Sequence, residues 1–330
     1  MSETNDPGGD ADDPFFSVVV PLFNEEGNLS ELYERLTAVM EGLARPYEVI
    51  FVDDGSRDST PEKVRELHDS DPRIRLIRFS RNFGHHIAIT AGLDEARGER
   101  IIMMDGDLQD RPEAIPDLFA KLEEGFDVVY GIRAQKKHSL FKRVTSWMFV
   151  TLMRQVTTEN AEITTNIFRI MTRQVADAVR ECREQARFVV GLFSWVGFRQ
   201  TAIEVIHGAR HAGETKYSLA KMFRLAFNGI TSFSRLPLQV ASLLGMAVSV
   251  GAFGLGCYYI VMKLQYDTQV TGWTSTLVVI LFLSGVQLLC LGVLGSYIGR
   301  IYGEAQNRPL YVVAERLGKG PPDPHIGRRR

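Results

Sequence analysis

Between residues 15 and 132, short apolar runs alternate with longer helical stretches. The short runs are rich in Val, Ile and Phe, which is typical of buried strands. The predicted strands are residues 17–20, 49–52, 74–79, 101–104 and 128–130, and the predicted helices are residues 29–43, 61–69, 87–97 and 113–124. This alternation predicts an α/β fold with a doubly wound, mostly parallel sheet. Because ligands of such sheets bind at the carboxyl ends of strands, the motifs that follow strands are the informative ones.

Two long stretches near the C-terminus contain no charged side chain. One runs from Leu236 to Met262 and the other from Thr268 to Gly299. Each is longer than the roughly 20 apolar residues that cross the hydrocarbon core of a bilayer. Buried core helices are the alternative, but core helices are usually amphipathic and seldom run so long without a charge. Residues 236–299 are therefore predicted to form two transmembrane helices.

Basic residues flank this pair of predicted helices on both outer sides. Four precede the first helix and four follow the second, whereas the connecting loop holds only Lys263 and Asp267. The flanking residues are Lys216, Lys221, Arg224, Arg235, Arg300, Arg308, Arg316 and Lys319. Because cytoplasmic loops carry the excess of Lys and Arg, both termini are predicted to be cytoplasmic. The expected location is the inner or plasma membrane, with the large N-terminal domain on the cytoplasmic side.

The remaining segments complete a predicted domain plan. Residues 1–14 are acidic and Gly-rich without an apolar core, which indicates a disordered tail rather than a targeting peptide. Residues 15–235 form the predicted cytoplasmic domain. Within it, residues 139–153 and 218–230 combine apolar positions with cations, which suits helices in the membrane interface, although ordinary packing helices fit almost as well. Residues 300–330 are the predicted cytoplasmic tail.

Charge and cysteine content exclude some classes of partner. The net charge of −2 provides no basic field for nucleic acid, so no nucleic-acid partner is expected. The Lys and Arg residues near the predicted spans favour contact with anionic membrane lipid instead. Cys182, Cys257 and Cys290 lack metal-ligand spacing, and two of them lie within the spans. We therefore expect neither a disulfide nor a zinc site.

Acidic motifs follow the first two predicted strands. PLFNEE begins at Pro21 and includes Phe23 and Glu25, and DDGS begins with Asp53 and Asp54. Carboxylates at neighbouring strand ends suit a nucleoside, because they accept hydrogen bonds from a ribose diol or a base N–H. Either motif alone is as often a turn or a helix cap. Together they predict a nucleoside-binding edge of the sheet.

The fourth predicted strand ends in the motif DGDLQD. Asp105 and Asp107 are separated by one residue, and Gln109 follows two residues later. Two carboxylates so spaced at a strand end suit one hard cation shared with a diphosphate, so the motif predicts Mg²⁺ or Mn²⁺. An Asx turn leading into the next helix is the structural alternative. Carboxylates crowded at a buried edge cost stability without a cation, and this favours the metal.

The ordered set PLFNEE, VDDGSRDST, SRNFGHH, DGDLQD and GETKYS, followed by two apolar spans, resembles the family 2 polyprenyl-phosphate glycosyltransferases. These include dolichyl-phosphate mannose synthase, bacterial undecaprenyl-phosphate glucosyltransferases and the formamido-arabinose transferase of lipid A modification. The resemblance covers about residues 17–317 and implies a GT-A catalytic domain. It also implies an inverting transfer of sugar from a UDP- or GDP-sugar to a polyprenyl phosphate, here undecaprenyl phosphate, and a homo-oligomer such as a tetramer.

The resemblance assigns roles to individual positions of this chain. Nucleoside-binding positions match Pro21, Phe23, Glu25 and Asp53, and metal or diphosphate positions match Asp105, Asp107 and Gln109. Basic positions expected to hold the lipid phosphate or the leaving diphosphate match Arg133, Lys142, Arg143, Arg210 and Lys216, and Arg169 is a further cation expected to hold the acceptor. Each could instead be a solvated surface charge, but anions must be held here and cations near a membrane suit that task.

The chain departs from the family pattern at three places. Several relatives carry Asp, often proposed as a base, where this chain has Ile167. His85 and His86 stand where relatives often have Lys or Gln beside a small or polar residue; either contact with the diphosphate or a plain helix start fits them. Many relatives carry Tyr in place of Phe23, which permits either uracil or guanine. Sequence therefore names neither the nucleotide nor the sugar.

Two other interpretations stay open at this point. A processive polysaccharide synthase shares the fold and the membrane helices, but such enzymes carry a Gln-x-x-Arg-Trp motif and this chain has no Arg-Trp pair. A non-catalytic membrane scaffold would keep the fold without the activity. Asp105 and Asp107 argue against a scaffold, and the Ile at position 167 argues for one.

Overall fold

The structure is a computed structural model that describes residues 13–133, 167–185, 187, 189–205, 236–266 and 272–318. The chain divides into two compact units. The first comprises Met1–Val150, Thr157–Thr215 and Pro309–Arg330, and the second comprises Thr151–Val156 and Lys216–Arg308. The predicted interfacial helices, residues 139–153 and 218–230, and most of the predicted disordered N-terminal tail lie outside the described residues. The predicted domain boundaries stay predictions.

The first unit contains a single sheet flanked by helices. Its described strands are β1 Phe16–Leu22, β2 Tyr47–Asp53, β3 Ile74–Phe79, β4 Arg100–Met103, β5 Val128–Arg133, β6 Arg169–Thr172, β7 Gln200–Val205 and β8 Val313–Leu317. Its described helices are α1 Leu29–Gly42, α2 Thr60–Ser70, α3 His85–Glu95, α4 Ile115–Glu123, α5 Arg173–Glu181 and α6 Val189–Trp195, with a 3₁₀ turn at Pro112–Ala114. The five predicted strands and four predicted helices are all present.

The strand order is β7-β5-β6-β4-β1-β2-β3-β8. β1 pairs in parallel with both β2 and β4, β2 with β3, and β5 with β7. The antiparallel pairs are β4 with β6, β5 with β6, and β3 with β8. The mostly parallel α/β fold is thus confirmed, with β6 and β8 running against their neighbours.

Strand alternation divides the core into two layers, one on each face of the sheet. Val18 and Val20 point to the face covered by α1, where Leu32 and Leu36 lie in the same apolar cluster. Val19 points to the opposite face, where the cluster contains residues of α3 and α5. Because both faces are covered, β1 and β2 are buried along their whole length, and this explains their continuous apolar runs.

Three of the described strands were not predicted from the sequence. β6 has only four residues, and β7 is half-exposed with polar positions, so neither forms an apolar run. β8, with the sequence VAERL, lies within the predicted C-terminal tail and adds antiparallel to the edge of β3. The chain therefore returns to the sheet after the second long apolar helix.

The second unit contains two long helices, α7 Leu236–Tyr266 and α8 Trp273–Ala305. The stretches Leu238–Met262 and Val278–Ala305 are long and apolar enough to cross a membrane. Large apolar side chains such as Leu243, Phe253 and Leu288 are mostly exposed, unlike those of a core helix in a soluble protein. The two predicted apolar helices are confirmed, and their exposed surface favours a lipid environment.

A buried ionic cluster joins the amino-terminal ends of the central strands. Glu48 on β2 accepts hydrogen bonds from the Ser17 hydroxyl at 2.7 Å and from the guanidinium groups of Arg75 and Arg97 at 2.9 Å. Arg75 also donates to Glu95 at 2.7 Å. Burial alone would raise the pKa of Glu48, but these partners outweigh it and hold the pKa below its ordinary value. The cluster ties β1, β2, β3 and the end of α3 together.

We expect Glu48→Gln to lower the free energy of unfolding by about 3–5 kcal/mol, because it removes the buried carboxylate charge that Arg75 and Arg97 share and leaves Arg75 with Glu95 alone. In the wild type, the pKa of Glu48 is lower in the folded protein than in the unfolded protein. The stabilisation is therefore complete above the unfolded value of about 4.3 and is lost as pH falls through the folded value. Thermal unfolding of the purified protein in detergent across pH measures both effects. Glu62→Gln, which breaks an exposed pair with Arg65, should change stability by at most about 0.5 kcal/mol; equal losses would contradict the assignment.

Candidate active site

The carboxyl ends of β1, β2 and β4 surround a cavity of about 300 Å³, together with the loop that follows β3. This is the size of a small ligand site. Six of the predicted site residues line it: Pro21, Phe23, Glu25, Asp54, Asp105 and Asp107. Six more lining residues were not predicted as site residues: Leu22, Asn82, Gly84, His85, Ala88 and Gly106.

Hydrogen bonds lock the loop after β1 to the loop after β2. The Asn24 amide donates to the Ser56 hydroxyl at 2.9 Å, and the Arg57 amide donates to the Asn24 side-chain oxygen at 2.9 Å. Asn24 has a φ of 58°, a left-handed conformation that Asn adopts more readily than most residues. This turn leaves the Phe23 ring 44% exposed beside the cavity.

Glu25 follows this turn and faces the other acidic residues of the cavity. Its amide donates to the Thr60 hydroxyl at 2.9 Å, and its carboxylate accepts a hydrogen bond from the Asn28 side chain at 2.6 Å. Burial raises the pKa of Glu25, and the negative charges of Asp107 and Asp105 add to the rise, against the effect of Asn28. Negative charge is therefore already crowded in this cavity.

Asp53 is fully buried at the end of β2, and it does not line the cavity. Its Oδ1 accepts the Ser56 amide at 3.1 Å, and its Oδ2 lies 3.4 Å from Nε of Arg78 without a hydrogen bond among the described residues. Burial raises its pKa despite the bonds from Ser56. A buried acceptor without a hydrogen bond is costly, and an N–H donor of a ligand would satisfy it.

Asp54 brings the loop after β3 to the site. Its carboxylate accepts the amides of Phe83 at 2.7 Å and Gly84 at 2.9 Å, and burial raises its pKa against these bonds. The neighbouring Gly55 has a φ of 72°, and a Cβ there would lie 2.7 Å from the backbone carbonyl carbon of Arg81. Only glycine permits this approach of the two loops. Asp54 thus has a structural task besides lining the cavity.

The DGDLQD motif forms a turn that presents Asp105 and Asp107 to the cavity. Leu108 is buried with a φ of 59°, a strained conformation for a residue of its size, and such strain concentrates at functional sites. The Gln109 side chain donates to Asp107 Oδ2 at 2.5 Å and its amide to Asp107 Oδ1 at 3.1 Å. Gln109 therefore orients Asp107 and does not line the cavity.

The chemistry of this turn fits a divalent cation bound through few protein ligands. Among the described residues, no group of three or more His, Cys, Asp or Glu side chains could hold a metal by itself. Magnesium typically takes one or two carboxylates and completes its octahedron with phosphate oxygens and water. Asp105 and Asp107 match that donor set, and a cation there would relieve the repulsion that raises the pKa of Glu25.

His85 is the clearest residue that sequence reasoning undervalued. It opens α3 and lines the cavity, with Nε2 3.2 Å from Oδ1 of Asp105. Burial opposes its protonation, but the adjacent carboxylate of Asp105, together with the charges of Asp54 and Asp107, outweighs this effect and raises the pKa of His85. His86 behaves oppositely: burial, and then the charge of His85, lower its pKa to about 4. The two histidines are thus different, and only His85 faces the cavity.

The predicted cations differ in where they lie and in how much of them the structure describes. Arg169 is fully buried on β6, with its guanidinium carbon 4.7 Å from the ring centroid of Tyr130 and 4.4 Å from that of Phe193. Burial lowers its pKa to about 10. Arg169 does not line this cavity, and the expectation that it holds the acceptor stays a prediction. Arg133 is the last residue of β5, and its side chain is not among those that the structure describes. Four further predicted cations lie wholly outside the described residues: Lys142, Arg143, Arg210 and Lys216.

Residues 17–180 match the family model described as Glycosyl transferase family 2. Over 304 residues the chain is 47% identical to the uncharacterized glycosyltransferase YkcC of Bacillus subtilis, covering 92% of this chain and 94% of that protein. It is also 40% identical over 300 residues to the SfII prophage-derived bactoprenol glucosyl transferase of Shigella flexneri, covering 90% and 96% of the two chains. The chain belongs to glycosyltransferase family 2.

A third relative of this glycosyltransferase is the undecaprenyl-phosphate 4-deoxy-4-formamido-L-arabinose transferase of Salmonella paratyphi A. The identity is 37% over 305 residues, which cover 91% of this chain and 92% of that one. The resemblance to polyprenyl-phosphate glycosyltransferases is thus confirmed, and the chain is an enzyme of this class. The predicted roles of individual site residues stay predictions.

Solved structures resemble the glycosyltransferase more distantly. One is glucosyl-3-phosphoglycerate synthase from Mycobacterium tuberculosis in complex with Mn²⁺, UDP-glucose and phosphoglyceric acid. It is 18% identical, with a TM-score of 0.48, covering 66% of this chain and 79% of that one. Another is the mannosyltransferase PcManGT of Pyrobaculum calidifontis with GDP-Man and Mn²⁺, with 16% identity and a TM-score of 0.45 over 84% and 87% of the chains. Likeness at this level says nothing about the ligands of this chain.

We expect Asp107→Asn to reduce turnover by about 100-fold or more, because the amide is a weaker ligand for a hard cation and keeps the shape of the side chain. Initial rates with Mg²⁺ or Mn²⁺, together with Mn²⁺ binding, measure the effect. The matched control is Asp117→Asn on the exposed surface of α4, which should leave both unchanged. Near wild-type turnover by Asp107→Asn at saturating metal would refute the metal assignment.

Proposed function

We propose that this glycosyltransferase moves a sugar from a UDP- or GDP-sugar to a polyprenyl phosphate, for which undecaprenyl phosphate is the expected acceptor. The observation that carries the proposal is the similarity over about nine tenths of the chain to transferases named for bactoprenol and undecaprenyl phosphate. The products are a polyprenyl-phosphate sugar and a nucleoside diphosphate. Such products serve the building or modification of cell-envelope glycans and lipids.

The cavity supports binding of the nucleoside part of the donor. Asp53 Oδ2 is an acceptor in need of a donor, which a base N–H supplies, and Glu25 can accept from a ribose hydroxyl. The exposed Phe23 ring offers a face against which a base stacks. For Asp53 to meet the base, its surroundings must open slightly, because the residue lies just behind the cavity wall.

The DGDLQD turn supports binding of the diphosphate. Asp105 and Asp107 would hold Mg²⁺ or Mn²⁺, with Gln109 fixing the orientation of Asp107. When bound, the cation supplies positive charge that stabilises the leaving diphosphate. His85 lies beside Asp105 at the start of α3. The N-terminus of a helix favours an anion, so the diphosphate would find hydrogen-bond donors there as well. The acidic cavity therefore accepts a diphosphate only together with positive charge.

The proposed reaction is an in-line displacement at the anomeric carbon. An oxygen of the acceptor phosphate forms the new bond, the bond to the diphosphate oxygen breaks, and the electron pair leaves with the nucleoside diphosphate. Attack from the opposite side inverts the anomeric configuration. Positioning of the two substrates and electrostatic stabilisation of the leaving group supply most of the rate. Arg133, Lys142, Arg143, Arg210 and Lys216 are the cations we propose for the two phosphate groups.

The lipid acceptor requires a membrane, and α7 with α8 supplies the apolar surface for one. We place the catalytic unit and both termini on the cytoplasmic side, because basic residues flank the helices outside their connecting loop. Cysteines introduced into residues 263–272 should be labelled only from the opposite side of the membrane; labelling from the cytoplasm alone would overturn this placement. A homo-oligomer is also proposed, from the family resemblance.

The test of the function is a panel of UDP- and GDP-sugars offered to the purified protein with undecaprenyl phosphate. We expect one donor to release nucleotide and to form a lipid-linked sugar, at a rate that depends on both divalent cation and lipid. Omitting the lipid controls for hydrolysis of the donor. If no donor yields a lipid-linked sugar, or if release is as fast without lipid, the proposal fails.

Ile167 bears on how the acceptor is activated. The residue is 7% exposed and belongs to the apolar cluster on one face of the sheet. A carboxylate at this position would be desolvated and its pKa raised. A phosphate monoester has its second pKa near 6, so at neutral pH the acceptor is largely dianionic and already a nucleophile. We propose that the enzyme needs no carboxylate here.

We expect Ile167→Asp to leave turnover unchanged or to lower it, and wild-type turnover to fall on the acid side near pH 6 as the acceptor becomes protonated. Rates across pH with the active donor measure both. Ile167→Asn is the matched control, since it has the same polarity and shape without the charge. A gain of several orders of magnitude for Asp over Asn would show that a base is missing from the wild type.

A further inference from the structure

The segment that follows α8 packs closely on the catalytic unit. β8 adds to β3 between residues Val313 and Leu317, and the Ser80 amide donates to the Val312 carbonyl at 2.9 Å. The β3–β8 register shifts between Arg78 and Phe79. Such a bulge re-aims side chains and is frequent beside active sites. Here it lies at the last residue of β3, directly before the loop that reaches the cavity.

Three aromatic rings connect this segment to that loop. The Tyr311 ring stacks on Phe79, with 5.1 Å between centroids and 21° between planes. On Phe79 the Phe83 ring packs edge-on at 5.6 Å. Phe79 is fully buried in the closely packed core and has no room to move aside. It therefore couples the position of the Tyr311 ring to that of the Phe83 ring. Tyr311 therefore supports Phe83 through one rigid side chain.

Phe83 is the centre of the loop that lines the cavity. Its amide and that of Gly84 donate to Asp54, and Asn82, Gly84 and His85 are lining residues. Gly84 has a φ of 106°, a conformation that glycine adopts readily and other residues do not. The edge-on contact with Phe79 holds the one large apolar side chain of this turn, which also lies under the guanidinium of Arg81, 3.9 Å from its ring centroid.

Tyr311 also holds the far end of α3. Its hydroxyl donates to Asp94 Oδ2 at 2.9 Å, and Asp94 accepts a second bond from Arg183 at 2.8 Å. α3 begins with His85 at the cavity and ends one residue after Asp94. Tyr311 therefore contacts, directly or through one ring, both the loop before α3 and the last turn of that helix.

We propose that Tyr311 is a positioning residue for the donor pocket: its stacking on Phe79 fixes the loop at residues 80–85 in the shape that binds the nucleotide diphosphate. This inference rests on the proposed function, because it takes the cavity as the donor pocket. α8 ends at Ala305, so the segment that carries Tyr311 is joined to the second long helix by only a few residues. The C-terminal end of α8 is thus close in sequence to Tyr311, the residue that we propose shapes the donor pocket.

The experiment compares Tyr311→Ala with Tyr311→Phe. Tyr311→Phe keeps the ring on Phe79 and loses only one of the two bonds to Asp94, so its donor KM should stay within about twofold of the wild type. Tyr311→Ala removes the stack, and we expect the donor KM and the Kd for UDP with Mg²⁺ to rise about fivefold or more, with the acceptor KM unchanged. Hydrogen exchange of the amides of residues 80–87 should accelerate in Tyr311→Ala and not in Tyr311→Phe.

Glu315→Gln is the matched control on the same segment. It weakens the two-bond ion pair of Glu315 with Arg65 at 2.7 and 2.9 Å, away from the aromatic contact, so it should lower the melting temperature without changing the donor KM. Tyr311→Leu replaces Tyr311→Ala if the latter fails to fold, since Leu fills volume without stacking. Unchanged nucleotide binding and exchange in the stack-lacking variant, or an equal change in Glu315→Gln, would overturn the inference. Wild-type protein that binds no nucleotide would instead overturn the proposed function, and this inference with it.

Discussion

The position of β1 between β2 and β4 is the constraint on which the site depends. β2 follows β1 along the chain and pairs with one of its edges, whereas β4 pairs with the other, so the strand order reverses at β1 and the carboxyl ends of the three strands lie side by side. A crevice at the carboxyl ends of the strands follows from this reversal of strand order. The buried cluster around Glu48 fixes the opposite ends of the same strands. The cavity therefore lies at the carboxyl ends of the strands, and the ionic cluster fixes their amino-terminal ends.

The acidic character of the crevice has two physical consequences. Glu25, Asp54, Asp105 and Asp107 lie around one small cavity, and burial with mutual repulsion raises the pKa of Glu25. Some of this charge is compensated inside the protein, by the backbone amides that donate hydrogen bonds to Asp54 and by His85 beside Asp105. The rest is available to a cation. The anionic donor that we propose would therefore bind here together with a counter-charge, with the cation and the diphosphate entering as one ligand.

Sequence patterns predicted the parts of the fold that have strong local signals. β1 to β5 were predictable because both faces of the central strands are buried, and the site motifs were predictable because they follow those strands. β6, β7 and β8 were not, because β6 has only four residues and the edge strands β7 and β8 contain polar positions, so none of them forms an apolar run. The burial of Arg169 and the cavity-facing position of His85 depend on tertiary packing, which a single motif does not encode. Six of the predicted site residues line the cavity, but the sequence did not show that Asn82 and His85 also line it or that Gln109 does not.

β8 covers the free edge of β3, and this has a practical consequence for protein production. A fragment that stops before α7 would keep most of the catalytic unit but would lose β8, Tyr311 and the partner of Arg65. The exposed backbone of β3 would then be open to pairing with another copy, which is the usual start of aggregation. A water-soluble version of this enzyme should therefore omit the two apolar helices while retaining residues 309–318, joined by a linker long enough to let that strand reach its place in the sheet.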